Sequence, residues 1–111
     1  VSLDGNRVLI GAPGTHGGAG GNSGAAYVFD RAGSWNQTAR LNASGGGAND
    51  RFGGSVSLDG NRALIGAAGA DGGGGLNSGA VYVFDAYGSN WYQTSRLTAS
   101  WLVRHFSQPQ R

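Results

Sequence analysis

The chain has 111 residues and a formal net charge of +2, made of eight Arg against six Asp with no Lys, Glu or Cys. Its arginines are scattered rather than gathered into a stripe, which argues against a nucleic-acid surface, and the lack of cysteine removes disulfide staples and thiol chemistry. No segment of period 3.6 reaches helix length, no signal peptide or membrane span is visible, and short apolar runs are bounded by Asp-Gly, Asn-Ser-Gly and Gly-Ser, which is an all-β pattern.

The chain is a direct repeat. Val1-Ser-Leu-Asp-Gly-Asn-Arg7 recurs unchanged from Val56 to Arg62, Leu9 to Ala12 returns as Leu64 to Ala67, and Asn22 to Ala25 returns as Asn77 to Ala80, all at an offset of 55. One inserted residue then moves the offset to 56, so that Trp35, Gln37, Thr38, Arg40 and Leu41 match Trp91, Gln93, Thr94, Arg96 and Leu97. A period of roughly 50 residues rich in short strands is that of propeller blades. The expected organisation is a first blade over residues 1–50, which lacks the Phe-Gly lead-in of the other copy, a second blade over 51–100, and an unmatched tail over 101–111. Two four-stranded antiparallel blades of a β-propeller are therefore expected, as part of a larger ring.

Within the second copy, the first strand is expected from Ser55 to Leu58. Asp59-Gly60-Asn61 turns the chain, because Gly and Asn accept the backbone of a tight hairpin at little steric cost. Arg62 to Gly66 returns antiparallel, and a glycine-rich loop leads to a third strand from Ala80 to Asp85. There Ala80, Tyr82 and Phe84 point one way and Val81 and Val83 the other, as Ala25, Tyr27 and Phe29 oppose Ala26 and Val28 in the first copy. Both faces are apolar, as a sheet packed between two others requires. In the fourth strand Trp91, Gln93, Ser95 and Leu97 alternate with Tyr92, Thr94 and Arg96, a mixture suited to a half-solvated rim.

These residues resemble a known family. Phe52-Gly53 before a strand, Gly11-Ala12-Pro13 after the next, and Gly-Ala-x-Tyr-Val-Phe followed by Trp-x-Gln-Thr are similar to the FG-GAP repeat over residues 1–100. The signature positions are Phe52, Gly53, Gly11, Ala12, Pro13, Gly66, Ala67, Tyr27, Phe29, Tyr82 and Phe84, all with structural roles. The resemblance implies blades like those of the integrin α-subunit propeller, in a bacterial, extracellular or cell-surface form serving adhesion or ligand binding. The second copy departs at Gly66-Ala67-Ala68, where alanine replaces the proline.

The resemblance also raises a calcium loop between the first two strands, and the residues there do not support one. Calcium takes about six to eight oxygens from a loop of about a dozen residues, whereas Asp4-Gly5-Asn6 and Asp59-Gly60-Asn61 offer one acid each. His16 and Asp71 in the longer loops have no companion acid. No metal or cofactor is therefore expected. The glycine runs lack the helix N-terminus and Lys of a phosphate cradle. Asn36-Gln-Thr38 and Asn42-Ala-Ser44 fit the glycosylation pattern, which matters only in a eukaryotic secretory host. The two histidines, His16 and His105, sit in a loop and in the tail, and no catalytic triad emerges. Asp30 and Asp85 are expected to cap a turn through their own backbone, and Trp35 and Trp91 to pack rather than to stack on sugars.

Two functions fit these expectations. One is a non-catalytic structural or binding module, with a protein or glycan ligand and further blades of the same parent chain as neighbours. The other is a self-standing lectin-like glycan-binding unit that completes a propeller as a homo-oligomer, because two blades leave open edges and uncovered apolar faces.

Overall fold

A computed structural model describes residues 1–15, 21, 23–44, 46–70 and 79–98. The expectations placed on His16, Asp71, His105 and the tail lie outside them. Two four-stranded sheets account for the described strands, each in simple sequential order. The first blade holds β1 (Ser2–Asp4), β2 (Arg7–Ala12), β3 (Ala25–Ala32) and β4 (Ser34–Leu41); the second holds β5 (Phe52–Asp59), β6 (Arg62–Ala67), β7 (Ala80–Tyr87) and β8 (Asn90–Leu97). Neighbouring strands pair antiparallel throughout. Asp4 pairs with Arg7 and Asp59 with Arg62 across the same two-residue turn, where Gly5 and Gly60 adopt φ of 60° and 59°. That left-handed conformation carries a Cβ penalty that glycine avoids.

Two strands differ from expectation. β5 starts at Phe52 rather than Ser55, because Phe52 pairs with Ala67 before the register shifts and Ser55 takes up the ladder with Gly66. The Phe-Gly lead-in is thus part of the sheet, with Gly53 and Gly54 absorbing the irregularity. The approach to it is bent: Asn49 and Arg51 both hold positive φ, a backbone state that asparagine tolerates and that costs a residue such as arginine roughly 1–2 kcal/mol.

In β8, Val83 opposes Ser95 and the next residue, Phe84, opposes Gln93, so Thr94 is an extra residue in a bulge. The bulge reverses the side-chain alternation beyond it. Arg96 therefore shares a face with Gln93 and Trp91 instead of opposing them, and its Nε donates to the Tyr82 hydroxyl at 2.9 Å. The first blade repeats the bulge at Thr38, between the Val28–Ala39 and Phe29–Gln37 pairs.

Register divides each blade into two faces. Leu9, Ala26, Val28 and Leu41 of the first blade are buried against Leu58, Ala63, Ile65, Tyr82 and Phe84 of the second, with Phe52 between them. The Phe52 ring meets Tyr82 and Phe84 edge-on, at centroid distances of 5.3 and 5.9 Å. Burying a side chain of this size stabilises by about 1.5–3 kcal/mol, and each edge-to-face pair adds about 0.5–1.5 kcal/mol. The other two faces are open. Val1, Leu3, Val8, Ile10, Phe29 and Trp35 line a shallow cavity of about 480 Å³ on the first blade, while Leu64 and Val81 lie exposed on the second. Each sheet is thus covered on one side, and the apolar second face of its third strand has no neighbouring sheet among the described residues.

Candidate functional site

The residues that carry chemistry gather at the joint between the blades. The Phe-Gly of one blade meets the Gly-Ala of the other there. Phe52 forms a parallel bridge with Gly24, and its amide donates to the Ser23 carbonyl at 3.0 Å. Gly53, at φ 101°, crosses Gly11 so closely that a Cβ on Gly11 would collide with the Gly53 carbonyl oxygen, and one on Gly53 would stand 2.5 Å from the Ala25 oxygen. The signature glycines are small because two backbones cross at that point. Tyr82 and Phe84 are buried in the joint, while their counterparts Tyr27 and Phe29 line the open face of the first blade and are only partly covered. Ala12 and Ala67 end β2 and β6, Gly66 lies beside Ser55, and Pro13 opens the turn after β2.

A polar cluster is repeated in both blades. Arg7 Nε donates to Asp30 Oδ1 at 2.6 Å, and Thr38 Oγ1 donates to Asp30 Oδ2 at 2.6 Å. In the second blade Arg62 Nε donates to Asp85 Oδ1 at 2.7 Å and Thr94 Oγ1 to Asp85 Oδ2 at 2.6 Å. Both aspartates therefore clamp three strands of their own blade instead of capping a turn through the local backbone. The bulge supplies the reason, since it presents the extra threonine to the carboxylate. Desolvation pushes the Asp30 carboxyl up, but hydrogen bonds from Arg7 and Thr38 and the Arg7 charge hold it below the ordinary value. The bond from Arg62, followed by that from Thr94, lowers Asp85 in the same sense, and the Arg62 guanidinium is raised in return.

At the joint the Asp-Gly-Asn turn of the second blade is held by the first. The Gly60 amide donates to Asp4 Oδ2 at 2.5 Å, Arg7 Nη1 donates to the Gly60 carbonyl at 3.2 Å and to Asn61 Oδ1 at 3.1 Å, and the Leu58 amide donates to Ser2 Oγ at 3.1 Å. The Arg7 guanidinium also lies 5.1 Å from the centre of the Trp91 ring. Further out, the Ser44 amide donates to Gln93 Oε1 at 2.8 Å. Trp91 is thus a packing residue of the joint, whereas Trp35 lines the open face. Asp4, Asn6, Arg7, Asp30, Arg31, Gly60 and Asn61 surround a cavity of about 280 Å³.

Sequence reading assigned Asp4-Gly5-Asn6 and Asp59-Gly60-Asn61 to turns and missed the contacts between them. The available signal was Ser, Asp and Arg repeated unchanged around a turn that needs only its glycine and asparagine. As for metals, no cluster of three or more His, Cys, Asp or Glu occurs among the described residues. Asp4 and Asp59 are each a single carboxylate on a tight turn, and the donor set does not approach that of a calcium site.

Comparison with curated proteins gives no match. The family model described as the FG-GAP repeat matches residues 1–29 and 35–84, a span that contains Phe52-Gly53, both Gly-Ala pairs, and both aspartate-clamping arginines. With two four-stranded antiparallel sheets joined through those same signatures, the chain belongs to the FG-GAP repeat family.

Proposed function

We propose that the protein is a non-catalytic structural and binding module, a part of an extracellular FG-GAP propeller that mediates adhesion or ligand binding. The observation that carries this reading is the use made of the repeated polar side chains. Arg7, Asp30 and Thr38, like Arg62, Asp85 and Thr94, are spent on holding strands together. A charge-paired aspartate with a lowered pKa is a poor general acid near neutral pH. Recognition then falls to what the two copies do not share.

Tyr87 and Tyr92 are such positions, aligned with Ala32 and Asn36 of the first copy. Their rings are exposed, 5.9 Å apart and tilted by 44°. The aligned Ala32 and Asn36 remain exposed although the second blade covers their face, so a further neighbour on the second blade would leave the tyrosines accessible. Exposed aromatic rings with a hydroxyl at the edge give a sugar or a protein an apolar platform with a polar tip, which is compatible with the lectin-like unit as a second reading.

Binding to immobilised glycans and to extracellular protein panels tests the proposal. The expected result is binding that Tyr87→Ala or Tyr92→Ala weakens at least severalfold without changing the unfolding midpoint. Turnover of a polysaccharide or ester, abolished by Asp30→Asn together with Asp85→Asn in a folded chain, would overturn the non-catalytic reading.

A further inference from the structure

The joint inside the chain is a template for a second joint whose two halves are both on the surface. The first blade buries Leu9, Ala26, Val28 and Leu41; the same positions of the second blade, Leu64, Val81, Val83 and Leu97, form its open face. The second blade buries Leu58, Ile65, Tyr82 and Phe84; their counterparts Leu3, Ile10, Tyr27 and Phe29 form the open face of the first. One open face therefore has the residues of the upper half of the joint, and the other has the residues of the lower half.

The polar contacts extend the match. Within the chain Asp4, Arg7 and Ser2 hold Gly60, Asn61 and Leu58, and Trp91 covers Arg7. The equivalent Asp59, Arg62 and Ser57 stand on the open side of the second blade, and Gly5, Asn6, Leu3 and Trp35 stand on the open side of the first. Arg62 shows what is missing: its side chain is 66% exposed where that of Arg7 is 25% exposed, although both make the same bond to aspartate.

Resting on the second reading, of a unit that completes its propeller with other copies, we infer that the open face of the second blade docks the open face of the first blade of another copy of this chain, head to tail. In that joint Asp59 accepts from the Gly5 amide of the next copy, Arg62 donates to its Gly5 carbonyl and Asn6 side chain, and its Trp35 covers Arg62. The interface is heterologous, since each copy uses two different faces.

Sedimentation velocity and light scattering on the 111-residue chain test this with two variants. Leu3→Arg spoils the open face of the first blade and Leu64→Arg that of the second. Both residues are exposed in a single chain, so each variant should keep the circular dichroism spectrum and unfolding midpoint of a wild-type monomer. The wild type is expected to associate, each variant alone to remain a monomer, and a one-to-one mixture to form a heterodimer that grows no further. Asp59→Ala, which removes one charged acceptor, should weaken association about tenfold. A wild-type chain that stays monomeric at its highest soluble concentration would sink the inference. So would association that survives either arginine variant, or a mixture of the two that fails to pair. Should an arginine variant unfold, Asp59→Ala combined with Trp35→Ala gives the same reading through polar and rim contacts.

Discussion

Leu9 and Leu64 occupy the same place in their copies of the repeat, yet Leu9 is fully buried and Leu64 is 41% exposed. Ile10 and Ile65 show the reverse, at 38% and 0%. The two blades agree in strand order, register, bulge position and aspartate clamp. What distinguishes them is which face has a neighbour. The energetic weight of a residue in this protein therefore depends on its side of the stack more than on its identity or its strand, and equivalent substitutions in the two blades should give unequal results.

The largest inequality is expected for Phe84→Ala against Phe29→Ala. Phe84 is buried against Phe52, and its truncation should cost about 3–5 kcal/mol in urea unfolding. Phe29 faces the open cavity of the first blade, and its loss should cost less than half as much. Equal losses would mean that the open face is covered in solution, which repeating the measurement at several protein concentrations would reveal.

Gly11→Ala and Gly66→Ala come next. An added methyl at Gly11 strikes the backbone of Gly53, which cannot turn aside, and overpacking of this kind costs about 1–3 kcal/mol. At Gly66 the atom in the way is the Ser55 hydroxyl, which can rotate. Thermal unfolding should show a clear loss for the first substitution and a small shift for the second; similar losses would contradict the backbone crossing.

Acid should strike both aspartate clamps. Asp30 and Asp85 have carboxyl groups lowered by their arginine and threonine partners, so the stabilisation they provide is complete above the unfolded carboxylate value, near pH 4. It is lost as pH falls through the lowered folded values. Asp30→Asn and Asp85→Asn should each flatten the acid limb of a stability–pH curve, because each removes a carboxyl group whose folded-state value is lowered. An acid limb left unchanged by either substitution would mean that the corresponding clamp contributes nothing to stability.

The smallest inequality sets Arg62→Lys against Arg7→Lys, which loses the ring contact of Arg7. Its stacking on Trp91 is worth about 0.5–1 kcal/mol, and a lysine keeps the charge but not the fork that reaches Asp30 and Gly60 together. Arg62→Lys, with no such stacking partner among the described residues, should be milder in a monomer and should match Arg7→Lys only if copies associate.

Much of this architecture can be read along the chain. The repeat, the turn at Asp-Gly-Asn, the alternation in Ala80-Val-Tyr-Val-Phe and the family signatures all depend on residues near one another in sequence. Other features escape such reading. Phe52-Gly53-Gly54 resembles a loop because glycine lowers strand propensity, and its place in β5 depends on Ala67 across the sheet. The bulge at Thr94 changes which side Arg96 takes, yet no local pattern marks it. Asp30 meets Arg7 from 23 residues away, which nothing within one strand announces. The sequence places Tyr92 in the rim strand without linking it to Tyr87, and the last hairpin brings the two rings together.

By itself the sequence determined that two copies of one four-stranded unit exist and that their central strands are apolar on both faces, because strand periodicity and turn chemistry act over a few residues. Only the tertiary structure decided which of those faces is buried and that the Asp-Gly-Asn turn of one blade is gripped by Asp4 and Arg7 of the other. The copies are locally almost identical, so their sequences cannot distinguish a covered face from an open one. Burial belongs to the neighbour, and the neighbour is chosen by packing.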